Sequence, residues 1–165
     1  MLKAIQTRSF QAAGVRFAIV ASKYNARYVD AMVRAARAEL MRAGGRVRVI
    51  RVPGAYEVPI VAARLARQAA SPRPGAGKGE AVSAIVCLGV ILRGETVHAA
   101  HIGEAVSSAL MRLQLQYQVP IIHEVLLLES EAQARVRCLG KRHNRGSEAA
   151  QTALAMARLM GELGA

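Results

Sequence analysis

The feature of this sequence that most constrains its fold is a series of apolar segments that alternate with helix-like ones. The run AVSAIVCLGVIL at residues 81–92 contains a single polar side chain, Ser83. Such a run is typical of a strand buried on both faces of a parallel sheet. Further strands are predicted at 15–22, 46–53 and 120–128. The alternation predicts a parallel α/β sheet.

The segments between and after these strands have helical patterns. Helices are predicted at about 27–42, 57–70, 98–118, 131–138 and 147–161. Gly44 and Gly45 mark the end of the first helix, and Pro59 is tolerated in the first turn of the second. The strand RVRVIRVP carries arginines at alternate positions, so it is predicted to be an edge strand. The segment SPRPGAGKG, 71–79, is predicted to be a mobile surface connection.

Composition places the chain among single-domain proteins. Its 165 residues are 53% hydrophobic and only 4% aromatic, which predicts one domain with an aliphatic core. Cys87 and Cys138 lack metal-ligand spacing and are predicted to be buried or unpaired thiols of a reducing compartment. The sequence shows neither a secretory signal nor a membrane-spanning run, so a cytoplasmic protein without a membrane partner is predicted.

The net charge of +12 raises the question of whether the protein binds nucleic acid. The arginines are dispersed along the predicted helices, and no basic run is interleaved with aromatic residues, which argues against specific nucleic-acid recognition. Acidic or phosphorylated partners are the more modest expectation.

Candidate site residues follow the strands, where open parallel sheets bind ligands. Tyr24 and Asn25 follow the first strand, and Tyr24 either stacks on a planar ligand or covers a helix end. The turn VPGAYE at 52–57 follows the second. Its backbone amides and Glu57 stand at a helix N-terminus, ready to bind hydroxyls or polar ring atoms, although Glu57 alone is explained by the helix dipole.

The segment LRGETVHAAH, 92–101, follows the third strand. Gly94 permits close backbone approach, and the amides of residues 95–97 precede a helix start that favours an anion such as phosphate. The positive end of that helix keeps a His98 imidazole neutral and able to accept a proton near pH 7. His101 shares the helical face, but two nitrogens without a third ligand make a poor metal site, so no metal is predicted and His101 is expected to pack or cap.

Basic residues gather after the fourth strand, around HNRGSEAA at 143–150. They form either a solvated basic face or part of a phosphate site. The cluster comprises Arg135, Arg137, Lys141, Arg142 and Arg145.

Together, five ordered motifs resemble the 6,7-dimethyl-8-ribityllumazine synthase family, enzymes of the penultimate step of riboflavin synthesis. They are FAIVASKYN, VPGAYEVP, GVILRGETVH, VPIIHEVLL and NRGSEAAQTALAMA, between Arg16 and Met160. The resemblance implies a three-layer fold, a four-stranded parallel flavodoxin-like sheet with helices on both faces. It also implies one domain over 1–165, whose residues 1–14 form an arm contacting a neighbouring subunit.

The resemblance implies an activity that needs neither metal nor organic cofactor. It is the condensation of 5-amino-6-(D-ribitylamino)uracil with 3,4-dihydroxy-2-butanone 4-phosphate, with loss of phosphate and water. Five subunits would form a ring with active sites at their interfaces. The short segment between Arg137 and Asn144 favours twelve rings closed into a 60-subunit shell, with riboflavin synthase as a candidate partner.

The resemblance also implies roles for the site residues. Tyr24 would lie over the pyrimidine while Asn25 supports the turn. His98 would transfer protons, and Arg137 of the neighbouring subunit would reach the phosphate and share in catalysis. His123 stands where an aromatic residue of the adjacent subunit usually closes the ring pocket. The further substrate-binding residues are Ala55, Tyr56 and Glu57 for the ribityl chain, Ile91 and Leu92 for the pyrimidine edge, Gly94, Glu95 and Thr96 for the phosphate, and Arg145 in place of a lysine.

Three departures from the family pattern leave other interpretations open. Ala99 and Ala100 follow His98 where the family has an aromatic and an acidic residue, and Ser147 replaces a tryptophan. The two alanines after His98 motivate a second hypothesis, a catalytically weak shell-forming or ligand-binding paralogue. A third is a basic nucleic-acid binder, which a steep salt dependence of binding would indicate.

Overall fold

The computed structural model describes residues 11–71, 81–140 and 143–164. The strands are β1 (Arg16–Ser22), β2 (Arg46–Val52), β3 (Ala84–Leu92) and β4 (Ile121–Leu128). The helices are α1 (Ala26–Arg42), α2 (Val58–Ala70), α3 (His98–Tyr117), α4 (Glu131–Cys138) and α5 (Arg145–Leu163), with a 3-10 turn at Ala55–Glu57. Each predicted strand and helix is confirmed. The predicted arm at 1–14 and the predicted connection at 71–79 lie largely outside the described residues. Lys141 and Arg142 lie entirely outside them.

The four strands form one parallel sheet in the order β2-β1-β3-β4. Helices α1, α4 and α5 cover one face and helices α2 and α3 cover the other. The predicted flavodoxin-like α/β fold is therefore confirmed. The reversal of strand order between β1 and β3 creates the crevice in which such sheets bind ligands.

The apolar runs of the inner strands arise because both faces of the sheet are covered. In β1, Phe17 and Ile19 pack beneath α1 and α5, whereas Ala18 and Val20 pack beneath α2 and α3. In β2 Arg46 and Arg48 are exposed, Val47 and Val49 pack toward α1, and only the end of the strand, Ile50 and Val52, packs beneath α2 and α3. The strand pairs with β1 alone. This confirms that β2 is an edge strand.

Two turns set the geometry around α1. Asn25, immediately before α1, adopts a left-handed backbone conformation with φ 55° and ψ 41°. Its Nδ2 donates a hydrogen bond to the carbonyl oxygen of Val90, 2.8 Å away, which ties the start of α1 to β3. At the other end, Gly44 has a φ of 88° and its N–H donates to the carbonyl oxygen of Met41. The predicted glycine stop is confirmed.

Both cysteines are buried free thiols, as predicted. Burial raises the pKa of the Cys138 thiol to about 11, and it raises the pKa of the Cys87 thiol further. Across the described ranges, every helix is too short or too polar to cross a membrane.

Candidate active site

Hydrogen bonds join the loops that follow β1 and β2 to each other and to the end of strand β3. The backbone N–H of Lys23 donates to the carbonyl oxygens of Val52 and Pro53, at 2.9 and 3.1 Å, and the N–H of Tyr24 donates to that of Pro53 at 3.3 Å. The Asn25–Val90 hydrogen bond adds β3 to this pair. The three strand ends predicted to carry the site therefore hold one another in place.

Two side chains of the candidate site pack directly against the backbone of Gly54. A Cβ at this position would lie 2.9 Å from the Glu57 carboxylate and 3.2 Å from the Tyr24 ring. The Gly54 N–H donates to Glu57 Oε2 at 2.8 Å, which fixes that carboxylate before α2. The Tyr24 side chain is 72% exposed, so its ring is open to a stacking ligand. Tyr56 is exposed beside them.

The loop after β3 presents its backbone to solvent. Ile91 and Leu92 are half-buried, whereas Gly94, Glu95 and Thr96 are exposed. A Cβ on Gly94 would meet nothing within 4 Å. The N–H of Ala100 already donates to the carbonyl oxygen of Val97, so the amides that precede it are the ones that can receive an anion at this helix start.

His98 is the first residue of α3 and its side chain is exposed. It can therefore reach a substrate held on the loops around it. His101 is also exposed, and it lies in a groove between α2 and α3 with Pro59, Glu104 and Ser108. Among the residues that the structure describes, no three His, Cys, Asp or Glu side chains group as a metal site would require.

The remaining predicted site residues lie elsewhere on the chain. His123 Nε2 is 2.7 Å from the hydroxyl oxygen of Ser107, which follows His98 by nine residues, or about 13 Å along a helix rising about 1.5 Å per residue. Arg137 is exposed in the last turn of α4, which covers the opposite face of the sheet from α3. His123 and Arg137 therefore lie on opposite faces of the sheet, and His123 is separated from His98 along α3 within one subunit.

Arg145 is held by two carboxylates. Its Nη2 and Nε donate to Glu124 at 2.7 and 3.0 Å, and its Nη1 donates to Glu148 at 2.6 Å. Glu124 is only 7% exposed, and burial raises the pKa of its carboxyl against the opposing effect of the Arg145 guanidinium. Sequence reasoning missed Glu124. The available signal was a carboxylate inside the apolar strand PIIHEVLLL, because a buried charge needs a partner.

Comparison with known proteins identifies a family that matches most of the chain. Residues 14–161 match the family described as 6,7-dimethyl-8-ribityllumazine synthase. A protein of that name from Stenotrophomonas maltophilia (strain R551-3) is 42% identical over 151 residues, 90% of each chain. Proteins of the same name from Xanthomonas campestris pv. campestris (strain B100) and Xanthomonas euvesicatoria pv. vesicatoria (strain 85-10) are 38% and 40% identical over 148 residues, 88% of this chain and 89% of theirs. The chain belongs to the 6,7-dimethyl-8-ribityllumazine synthase family.

Proposed function

We propose that this chain catalyses the condensation of 5-amino-6-(D-ribitylamino)uracil with 3,4-dihydroxy-2-butanone 4-phosphate to 6,7-dimethyl-8-ribityllumazine, releasing phosphate and water. The observation that carries the proposal is the set of hydrogen bonds that joins the loops after β1 and β2 to the end of β3, the strand that leads to His98 at the start of α3. Relatives bearing the enzyme's name at 38–42% identity support it. They favour the enzyme over a shell-forming paralogue and over a nucleic-acid binder.

In the proposed mechanism, the loops after β1, β2 and β3 align the two substrates. The uracil ring stacks on Tyr24, and Glu57 with the neighbouring backbone binds the ribityl hydroxyls. The phosphate lies against residues 94–96 and the start of α3. Holding both substrates in reacting geometry lowers the entropic part of the barrier, a contribution of about 7–11 kcal/mol in well-aligned cases.

His98 carries the proton transfers. Imine formation and ring closure each need protons moved between nitrogen and oxygen atoms, and an imidazole can accept and return them. Loss of phosphate builds negative charge on the leaving group, which the α3 amides and the Arg137 guanidinium stabilise.

The complete site forms between two subunits. Within one chain His123 contacts Ser107, about 13 Å along α3 from His98, and Arg137 lies across the sheet, so a neighbouring copy must supply both. Exposed apolar side chains on α2 and α3, Ile60, Met111 and Leu115, support contact with another copy. A ring of five subunits satisfies this need at each interface, since head-to-tail contacts close into rings. We place the rings in a 60-subunit cytoplasmic shell, with riboflavin synthase as a candidate partner.

Lumazine formation by the purified protein tests the proposed activity. The protein is mixed with both substrates, and the fluorescence of the product is followed over time. Product formation far above the uncatalysed background is expected. Background rates from a folded assembly would overturn the proposal in favour of the paralogue.

Light scattering on the same sample tests the assembly. A mass of 60 subunits is expected, whereas isolated pentamers would remove the shell and keep the interface site. A monomer that forms product at full rate would exclude a site shared between subunits.

A further inference from the structure

We propose that Ser107 is a positioning residue for the synthase reaction. It fixes the His123 imidazole as the neutral tautomer protonated on Nε2, in the orientation that stacks on the uracil bound by a neighbouring subunit. This inference rests on the proposed function and assigns a role to a residue outside the predicted site.

The contacts of the ring determine its tautomer. The backbone N–H of Val125 points at His123 Nδ1 at 3.3 Å. A backbone N–H can only donate, so Nδ1 must be the unprotonated acceptor. In a neutral imidazole the proton then resides on Nε2. That nitrogen lies 2.7 Å from Ser107 Oγ, which accepts it.

The Ser107 hydroxyl also donates a hydrogen bond to the backbone of α3. Its hydroxyl donates to the carbonyl oxygen of Gly103, one turn earlier, at 2.7 Å. The chain of donors therefore runs from His123 Nε2 through Ser107 to Gly103, and each group has the role that its neighbour requires. Two fixed nitrogens prevent the ring from flipping about its Cβ–Cγ bond.

The same contacts exclude a second interpretation of the pair. A serine 2.7 Å from a histidine nitrogen resembles a nucleophile beside its base. Here the facing nitrogen is protonated and the serine hydrogen is committed to Gly103, so His123 cannot accept it. Ser107 orients the ring and does not attack a substrate.

Burial favours the neutral ring. His123 is half-buried between β4 and α3, and burial lowers the pKa of its imidazole. A flat, uncharged ring with a fixed plane is suited to stacking on a pyrimidine, since the plane is set before the substrate arrives. Without Ser107 the ring would lose one of its two anchors, and ordering it would oppose binding.

Steady-state kinetics of the assembled Ser107→Ala protein test the role. The KM for the ribitylaminouracil should rise about fivefold, the scale of one hydrogen bond. The kcat and the KM for the butanone phosphate should change less than twofold. Ser107→Thr keeps the hydroxyl and should restore the KM. Ser108→Ala removes a neighbouring hydroxyl that does not contact His123 and should leave the KM unchanged.

A double-substitution cycle separates positioning from helix damage. His123→Phe keeps a flat ring without nitrogens, so adding Ser107→Ala to it should cause no further rise in KM. An equal rise in that background would show that Ser107 acts through α3 packing, and the proposal would fail. An unchanged KM in the single Ser107→Ala variant would also overturn it.

Solid-state NMR of the sedimented assembly, labelled with ¹⁵N-histidine, tests the tautomer independently of activity. His123→Phe identifies the His123 signals, which should report a protonated Nε2 and a bare Nδ1. An imidazolium or an Nδ1-protonated ring would reject this inference without affecting the proposed activity. Failure of the parent protein to form lumazine would instead reject the proposed function.

Discussion

At the residue scale, the candidate site combines exposed side chains such as His98 with side chains that backbone hydrogen bonds hold in place. His98 is exposed at the first turn of α3, and neither Ala99 nor Ala100 can supply a carboxylate to orient it. Glu57, by contrast, is fixed by the Gly54 N–H. In the proposed reaction His98 would therefore be oriented mainly by the substrate, and its contribution can be measured without disturbing the fold.

His98→Ala should lower kcat by about 10²-fold or more, the scale of one general acid–base group. The unfolding temperature should change by less than about 2 °C, because an exposed side chain contributes little to stability. Lumazine fluorescence and a thermal melt provide the two measurements. His101→Ala, in the same helix, is the matched control and should keep kcat within about twofold of the parent. Unchanged turnover of His98→Ala would remove its assigned role.

Arg145→Met should destabilise the protein by on the order of 2 kcal/mol at pH 7.5, because it leaves the Glu124 carboxylate buried without its cation. The partial exposure of Arg145 keeps this below the cost for a fully buried pair. A carboxyl whose pKa is raised in the folded state favours the protonated form. The free energy of unfolding that is lost by burying it as a carboxylate therefore grows as pH rises through that pKa, and it shrinks as pH falls toward about 4.

Thermal melts at pH 7.5 and pH 5 should therefore show a smaller deficit at the lower pH. The double variant Glu124→Gln/Arg145→Met removes both charges and should recover most of the loss at pH 7.5. A deficit independent of pH would mean that Glu124 does not carry it.

At the element scale, the start of α1 organises the site. Asn25 adopts the left-handed conformation that few residue types tolerate, and its side chain bonds to β3 rather than capping its own helix. The residue thus places Tyr24, directly before it, over the loop that follows β2.

Asn25→Ala should lower the unfolding temperature by about 3–6 °C, through backbone strain and the lost bond to Val90. The KM for the ribitylaminouracil should also rise, because Tyr24 loses its support. Asn25→Gly tolerates the left-handed backbone but lacks the bond, so its melting temperature should lie between those of the alanine variant and the parent. If the glycine and alanine variants melt alike, strain has no part in the effect.

The sheet could be predicted from the sequence because burial on both faces leaves a continuous apolar run, as in residues 84–90. The edge strand could be predicted because Arg46 and Arg48 alternate with valines in its first half. The predicted ends of the strands and helices were less exact. The strand β3 begins at Ala84 rather than at residue 81, and a 3-10 turn precedes α2. Such ends depend on hydrogen bonds with distant segments, which composition does not encode.

At the scale of the whole molecule, the chain divides the predicted site residues into two groups. Tyr24 and His98 follow the neighbouring strands β1 and β3, whereas His123 packs beside Ser107 and Arg137 lies on α4, across the sheet from α3. Sequence motifs predicted these residues through a family resemblance. They could not place Glu124 or Ser107, because those residues act through contacts formed only after folding.

A mixture of two damaged subunits tests whether the groups meet across an interface. His98→Ala and Arg137→Ala each remove one half of the site. Coexpressed in equal amounts, they should regain about a quarter of the parent's activity, since a random ring places two intact halves together at about one interface in four. Each variant assembled alone is the control. Activity equal to the mean of the two controls would place both residues in one subunit's own site.

The burial of both thiols has a practical consequence for chemical labelling. Cys87 and Cys138 are the only cysteines in the sequence, and their raised pKa values leave almost no thiolate at neutral pH. A maleimide should therefore leave the folded protein unmodified. A cysteine introduced at the exposed position of Arg34 in α1 would be the sole reactive thiol, so dyes or tethered cargo can be attached once per subunit while both native cysteines stay in place.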